Sequence, residues 1–318
     1  MKLKISTPSR LQFGIIDMRG DLRRIHGSVG VTIKKPRLIL EIEESSETRI
    51  FGARSNRAQQ ILDFFYENYN IPSGILLDIQ EDIPEHTGFG SGTQLALAIG
   101  AALNKIFNLD LTVHEIAVKL QRSRVSGIGT LGFLNGGFII DGGHSMENLD
   151  KVPPVVYRQD FPDGWSFVVC IPDIKRGFSG EQEQNAFKKL EPPPVETIGL
   201  VSRIVLLQMI PAIIEKDIEL FGDAMTKLDT MFGDYWKKIQ GGTYSHPRIE
   251  ECVKHLLEKG AYGAGQSSWG PTLYGLVDGR SQANNMLDEM NSFLNEGKER
   301  GSAFITSADN VGAQIIEV

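Results

Sequence analysis

A chain of 318 residues, 41% of them hydrophobic, has material for two cores and exceeds what one core usually holds. Its formal charge of −7 and the lack of a long basic stripe exclude unspecific nucleic-acid binding. Residues 1–10 alternate apolar with polar side chains and lack a signal core, no window reads as long enough to cross a bilayer, and Cys170 and Cys252 belong to no metal-type cluster. These features predict a soluble, unprocessed protein of the reducing cytoplasm, with both thiols packed in a core and no membrane partner.

In chain order, residues 2–6 alternate at period two, and 11–18, 28–33 and 37–44 read as further strands. Between two of them residues 19–27 form a glycine-bounded loop with three arginines, Arg24 among them, and His26. A solvated hairpin end and an anion site both fit it. Residues 56–69 have helical apolar spacing after a cap at Ser55, and 74–80 form a strand that delivers the chain to residues 83–94.

There Gly88, Gly90 and Gly92 alternate with Phe89, Ser91 and Thr93, and Gln94 leads into an apolar run, residues 95–103. Glycines opening a helix leave backbone N–H groups and the positive end of the helix dipole facing one point, which is an anion cradle. Residues 91–104 carry no charged side chain, and the apolar ones go nearly all round, so the helix is expected to be central and buried. The motif lacks the Gly-Lys-Ser/Thr ending of a P-loop and the later acid of a dinucleotide fingerprint. A turn that merely lets a helix pack closely remains the other reading of the glycines.

Residues 111–121 predict a helix behind the central one. Residues 122–130 form a second glycine loop with Arg122, Arg124, Ser126, Gly127 and Gly129, suited to a phosphate or carboxylate. A strand over 133–141 follows, and 155–157 and 166–171 are expected to complete the first sheet. The polar loop 172–183 contains Lys175, Arg176 and Glu181, the last a capping residue or more. Three prolines at 192–194 mark the predicted boundary between domains 1–191 and 192–318. Beyond it, helices over 197–214, 217–236, 247–259 and 281–295 are laid over a small antiparallel sheet of strands 261–265, 272–277, 303–306 and 314–318. Residues 263–271 there form a third glycine and hydroxyl turn, a tight hairpin or a cover for a ligand.

The order of these pieces resembles the GHMP superfamily over nearly the whole chain. Its phosphate motif is similar to Pro84 followed by Gly88-Phe89-Gly90-Ser91-Gly92, and its carboxy-terminal motif to Gly263-Ala264-Gly265-Gln266. Within it, the closest resemblance is to a non-kinase branch, the archaeal β-ribofuranosylaminobenzene 5′-phosphate synthases. It rests on Thr7-Pro8-Ser9-Arg10-Leu11, Phe13-Gly14-Ile15-Ile16-Asp17, Gly90-Ser91-Gly92-Thr93-Gln94-Leu95, Arg124-Val125-Ser126-Gly127-Ile128-Gly129-Thr130 and, most distinctively, Gly265-Gln266-Ser267-Ser268-Trp269-Gly270-Pro271.

The resemblance implies an α+β, GHMP-type two-domain architecture, with an N-terminal ribosomal-protein-S5-domain-2-like α/β domain and a C-terminal ferredoxin-like α/β sandwich. It implies an archaeal enzyme that joins 5-phosphoribosyl 1-diphosphate to 4-aminobenzoate or 4-hydroxybenzoate, releases carbon dioxide and diphosphate on the route to tetrahydromethanopterin, and needs magnesium. Gly88, Gly90, Ser91, Gly92, Thr93 and Gln94 would hold diphosphate, with Ser91 and Thr93 as metal ligands. Arg24, His26 and Arg124 would meet the ribose 5-phosphate or the carboxylate, and Asp17 or Glu181 the ribose or magnesium. Arg10, Ser126, Lys175, Arg176, Gln266, Ser267, Ser268 and Trp269 would complete the substrate site.

Two departures carry chemistry. Kinases of the superfamily that use a catalytic aspartate place it in Ser-Gly-x-Asp, whereas this chain has Ser126-Gly127-Ile128-Gly129, so a hydroxyl nucleophile loses its base. Gly92 stands where the kinases often place a metal-binding serine. A small-molecule kinase is the alternative function and a silent binding protein a third. Long amphipathic helices in the second half predict a homodimer.

Overall fold

The computed structural model describes residues 1–72, 74–175, 190–296 and 299–318. Two long antiparallel strands, β1 (Lys2–Asp17) and β2 (Arg24–Ser45), form its spine. The four short strands expected from the sequence are therefore two, and residues 24–27 of the expected loop are strand. Their ladder slips between Thr7 and Ser9 and again between Gln12 and Gly14; Pro8, which has no N–H to give, sits at the first slip.

β12 (Gln314–Glu317) pairs with β1, β4 (Gly74–Glu81) pairs with β2, and β3 (Arg49–Gly52) runs parallel to β4. β5 (Phe138–Asp141) and β6 (His144–Ser145) pair with the first half of β2, and β7 (Val155–Gln159) pairs with β5. The second sheet is antiparallel, in the order β11 (Gly301–Ser307), β8 (Trp165–Pro172), β10 (Leu273–Asp278), β9 (Gly263–Gln266).

Two strands thus lie in the other sheet from the one expected: β8 leaves the first for the second, and β12 returns to the first. Phe167, Val168, Val169 and Cys170 are all fully buried. A run apolar on both faces fits the middle of either sheet, so its pattern cannot choose between them. The exchange joins the halves, and one apolar cluster runs from Leu3 and Leu40 through Phe13 and Phe167 to Phe221 and Tyr274.

The helix α2 (Ser91–Phe107) buries every residue from Gln94 to Leu103. α1 (Ser55–Asn68) and α3 (Val113–Lys119) pack closely on it because Gly100 has no Cβ, which would lie 2.5 Å from Ile116. Where a strand over 133–141 is expected, α4 (Ile128–Asn135) comes first. Gly136 and Gly137, both at positive φ, then turn the chain into β5, a break that Phe133 and Leu134 do not announce.

α5 (Val195–Glu215) has a π-helical segment at Val205–Met209. By length and composition it is apolar enough to cross a bilayer, contrary to the sequence expectation. It lies instead with Val201, Ile204, Val205, Met209, Ala212 and Ile213 in the core. α6 (Ile218–Gln240), α7 (Pro247–Glu258) and α8 (Gly279–Asn295) cover the second sheet.

Candidate active site

A cavity of about 480 Å³ opens at the amino end of α2. Arg54 pairs with Asp82 just beyond β4, Nε to Oδ2 being 2.6 Å, and fixes where the glycine loop begins. Gly90, at φ +77, is the N-cap residue; no side chain caps the helix, and its first turn holds no acid. The first amides of a helix have no intrahelical acceptor, and Gly90, Ser91, Gly92 and Thr93, which carry them here, line the cavity. Because α2 is buried along its length, little water screens its dipole there.

The far wall comes from the other half of the chain. The Arg10 amide donates to the Phe89 carbonyl at 3.1 Å, and its guanidinium donates to the Gly88 carbonyl. Ser267 Oγ donates to the same carbonyl at 2.7 Å and accepts from the Gln12 amide at 3.1 Å. A Cβ at Gly88 would lie 2.3 Å from the Ser267 carbonyl, so only glycine permits this stitching. The hairpin after β9 is anchored in turn by Asp229 of α6, whose two carboxyl oxygens accept from the Gln266 amide at 3.1 and 3.2 Å. Burial pushes the Asp229 carboxyl well above the usual carboxylate range, against the opposing pull of that amide and of Tyr244. Ser268 and Trp269 reach the cavity. The Trp269 ring meets Trp236 edge-on at 4.5 Å, in a cluster that Met18 joins.

Of the residues expected to act, Arg10, Gly88, Gly90, Ser91, Gly92, Thr93, Ser268 and Trp269 line this cavity. Gln94, Gln266 and Ser267 are buried behind its wall, and the Gln94 amide group donates to the Gly129 carbonyl at 2.8 Å, tying the cradle to the second glycine loop. Asp17 Oδ1 accepts from the amides of Arg19 and Gly20 at 2.7 and 3.0 Å, a turn-capping arrangement. Arg24 donates to the carbonyls of Gly142 and Gly143 at 2.8 and 2.6 Å. Ser126 Oγ accepts from the Ile128 amide at 3.3 Å, and Arg124 is exposed. Lys175 is also exposed, next to Ile174 at the rim of a separate cavity of about 460 Å³. Arg176 and Glu181 lie outside the described residues.

Two further cations lie in the cavity wall: Arg57, which was not singled out from the sequence, and Arg122, one of the two arginines expected from it to meet a phosphate or carboxylate. Arg57 comes from the first turn of α1, and Arg122 opens the second loop with its Nη1 3.4 Å from where a Gly92 Cβ would be. Burial lowers the pKa of Arg122, and the neighbouring charges of Arg57 and Arg124 lower it further. Arg57 and Arg122, both in the wall beside a helix amino terminus, repel each other, and a polyanion relieves both at once.

A carboxylate does lie by the Ser126–Gly129 turn, where the sequence supplied none: it is Asp141, from β5. Its Oδ2 accepts from the Gly127 amide at 2.8 Å, and its Oδ1 from the amides of Ser28 and Gly143 at 3.1 and 2.9 Å. With both oxygens on backbone amides and 1% of the residue exposed, it organises the turn and is not placed to take a proton from a substrate. Among the described residues no group of three His, Cys, Asp or Glu side chains could hold a metal by itself. Glu85, Ser91 and Thr93 do line the cavity, and one carboxylate with two hydroxyls suits magnesium that is carried mostly by phosphate oxygens.

Residues 56–140 match the GHMP kinases N terminal domain, and residues 209–296 match GHMP kinases C terminal. The β-ribofuranosylphenol 5′-phosphate synthase of Methanothermobacter thermautotrophicus is 31% identical, over 100% of this chain and 99% of that one. The synthase of the same name from Methanocaldococcus jannaschii is 33% identical, over 98% and 99%. Among solved structures, homoserine kinase from Cytophaga hutchinsonii superposes with a TM-score of 0.70 at 15% identity, covering 99% of this chain and 97% of that one; that likeness concerns the fold alone.

Proposed function

Since this chain belongs to the GHMP superfamily and, within it, to the β-ribofuranosylphenol 5′-phosphate synthases, we propose that it transfers the ribosyl group of 5-phosphoribosyl 1-diphosphate to 4-hydroxybenzoate. It is a decarboxylating pentosyltransferase that releases diphosphate and carbon dioxide on the route to tetrahydromethanopterin. The hydroxy acid is the acceptor whose product is a ribofuranosylphenol, the product in the relatives' name.

The observation that carries this reading is the uncapped mouth of α2 ringed by Arg10, Arg57 and Arg122. These groups bind the diphosphate, and their hold strengthens as the bond from ribose C1 to the diphosphate oxygen breaks and charge collects there. The ring carbon that bears the carboxylate attacks C1 from the opposite face, a C–C bond forms, and configuration inverts. The bond to the carboxylate then breaks, and its electron pair restores the aromatic ring. No step takes a proton from a nucleophilic hydroxyl, in keeping with a Ser126–Gly129 turn whose neighbouring carboxylate is held by backbone amides. Magnesium, held by Glu85, Ser91 and Thr93 with the diphosphate oxygens, would neutralise charge on the leaving group. Trp269, at the cavity wall, excludes water from the developing cation.

We further propose a cytoplasmic homodimer, supported by the free buried thiols Cys170 and Cys252 and by exposed Leu200, Leu206, Leu207 and Ile214 along α5; light scattering tests the pairing. The catalytic proposal is tested with carboxyl-labelled 4-hydroxybenzoate, 5-phosphoribosyl 1-diphosphate and magnesium. One labelled carbon dioxide per diphosphate released is expected, whereas phosphorylation of an acceptor from ATP without that release would overturn the reading.

A further inference from the structure

The arginine-lined cavity also has an acid in its wall. Among the described residues that line it, Glu85 is the one carboxylate, set with Arg57, Arg122 and the uncapped mouth of α2. A carboxylate there repels a bare polyanion, whereas it attracts one whose charge is shared with a divalent cation. Glu85 therefore weakens the site for one form of its ligand and strengthens it for the other.

The chain braces this side chain from behind. Among the described residues Glu85 has a single ion-pair contact, Oε1 to Arg54 Nη1 at 4.0 Å, too long for a hydrogen bond. Arg54 donates from Nε and Nη2 to the Asp82 carboxylate, and Asp82 Oδ1 also accepts from the Ile83 amide at 2.7 Å. The Arg54 side chain is 5% exposed, and its Nη1 is buried without a hydrogen-bond partner. An unmet N–H on a buried charged group is costly, and a shift of roughly 1 Å brings Glu85 Oε1 close enough to meet it. Arg57, from the same end of α1, donates instead to Gln60 Oε1 at 2.7 Å.

Backbone strain holds both partners in place. Arg54, the N-cap residue of α1, and His86, next to Glu85, both sit at φ +56, a region that costs non-glycine residues energy unless their surroundings impose it. Thr87 Oγ donates to the Pro84 carbonyl at 3.0 Å and closes the turn that carries Glu85.

We propose that Glu85 makes the cavity selective for the magnesium-bound polyanion over the bare one, and that Arg54, braced by Asp82, is a positioning residue that holds one Glu85 oxygen and leaves the other to the cation. That the polyanion is a diphosphate, and the cation magnesium, rests on the synthase reading.

Inorganic diphosphate is titrated calorimetrically into the full chain, once with magnesium in excess and once with a chelator in its place. The parent is expected to bind the magnesium form about tenfold more tightly, and Glu85→Gln to bind that form about tenfold more weakly than the parent does. For the bare form the sign reverses: Glu85→Gln is expected to bind it about threefold more tightly than the parent, because a like charge has gone. A variant that had merely lost structure would bind both forms less well. Equal affinity of the parent for the two forms, or a loss of both in Glu85→Gln, overturns the proposal. Arg54→Lys, which keeps a charge for Asp82 but lacks the third edge for Glu85, is expected to lower the preference for the magnesium form about threefold; an undiminished preference in that variant overturns the role of Arg54. The titrations use neither organic substrate, so the metal preference holds or fails independently of carbon dioxide release.

Discussion

At Gly92 an added Cβ would meet only the Arg122 guanidinium, at 3.4 Å, whereas at Gly265 it would lie 2.5 Å from the Asp229 carboxyl carbon and at Gly263 2.2 Å from the Gly222 carbonyl oxygen. In the first turn Gly92 faces an arginine-lined cavity, whereas in the second Gly263 and Gly265 face protein. Both are rich in glycine, yet in one the missing side chain leaves room for a ligand, and in the other it lets a strand lie against α6. Glycine content alone therefore does not mark a binding site. What surrounds the missing Cβ does.

The sharpest way to break this contrast is Arg122→Ala. If the space at Gly92 holds a polyanion, removing the half-buried cation beside it should cut kcat/KM by a factor of about 100 to 1000, the cost of leaving a charge without its partner. An unchanged value would mean that the space is not for an anion. Next, Gly265→Ala should destabilise the fold by about 2 kcal/mol through overpacking on Asp229, read as a lower urea midpoint. Gly92→Ala should leave that midpoint within about 0.5 kcal/mol of the parent and weaken diphosphate binding about tenfold, a loss near 1.4 kcal/mol, measured by calorimetric titration.

The smallest effect concerns Asp229. Burial raises its folded-state pKa, so the folded chain retains a proton that the unfolded chain releases. Its contribution is fully present below the unfolded value of about 3.9 and is lost as pH rises through the folded value. Denaturant melts of the parent and Asp229→Asn should therefore converge, or reverse in favour of Asn, as pH is raised from about 4. A constant difference would mean that Asp229 is ionised in the folded state.

Much of this was legible because it is local. A charge-free run after Gly88-Phe89-Gly90-Ser91-Gly92 has one physical outcome, a buried helix with its mouth exposed, and Gly-Gln-Ser-Ser-Trp placed a second turn at the cavity. The rest depends on tertiary placement. Phe167 to Cys170 carry no face that assigns β8 to a sheet, and Arg57 reads as an ordinary solvated helix residue until α1 is seen beside α2. Asp141 lies 14 residues beyond Gly127, and only the pairing of β5 with β2 brings it to that turn. The apolar character of α5 likewise does not reveal that one side of it docks on the core.

The account stands on the claim that the mouth of α2 takes the diphosphate of a ribosyl donor. Titration of magnesium 5-phosphoribosyl 1-diphosphate into the parent and Gly92→Ala, each with its unfolding midpoint, tests this most directly. Tight binding by the parent, weakened in a variant of unchanged stability, is the expected result. Equal binding by both proteins would contradict the claim.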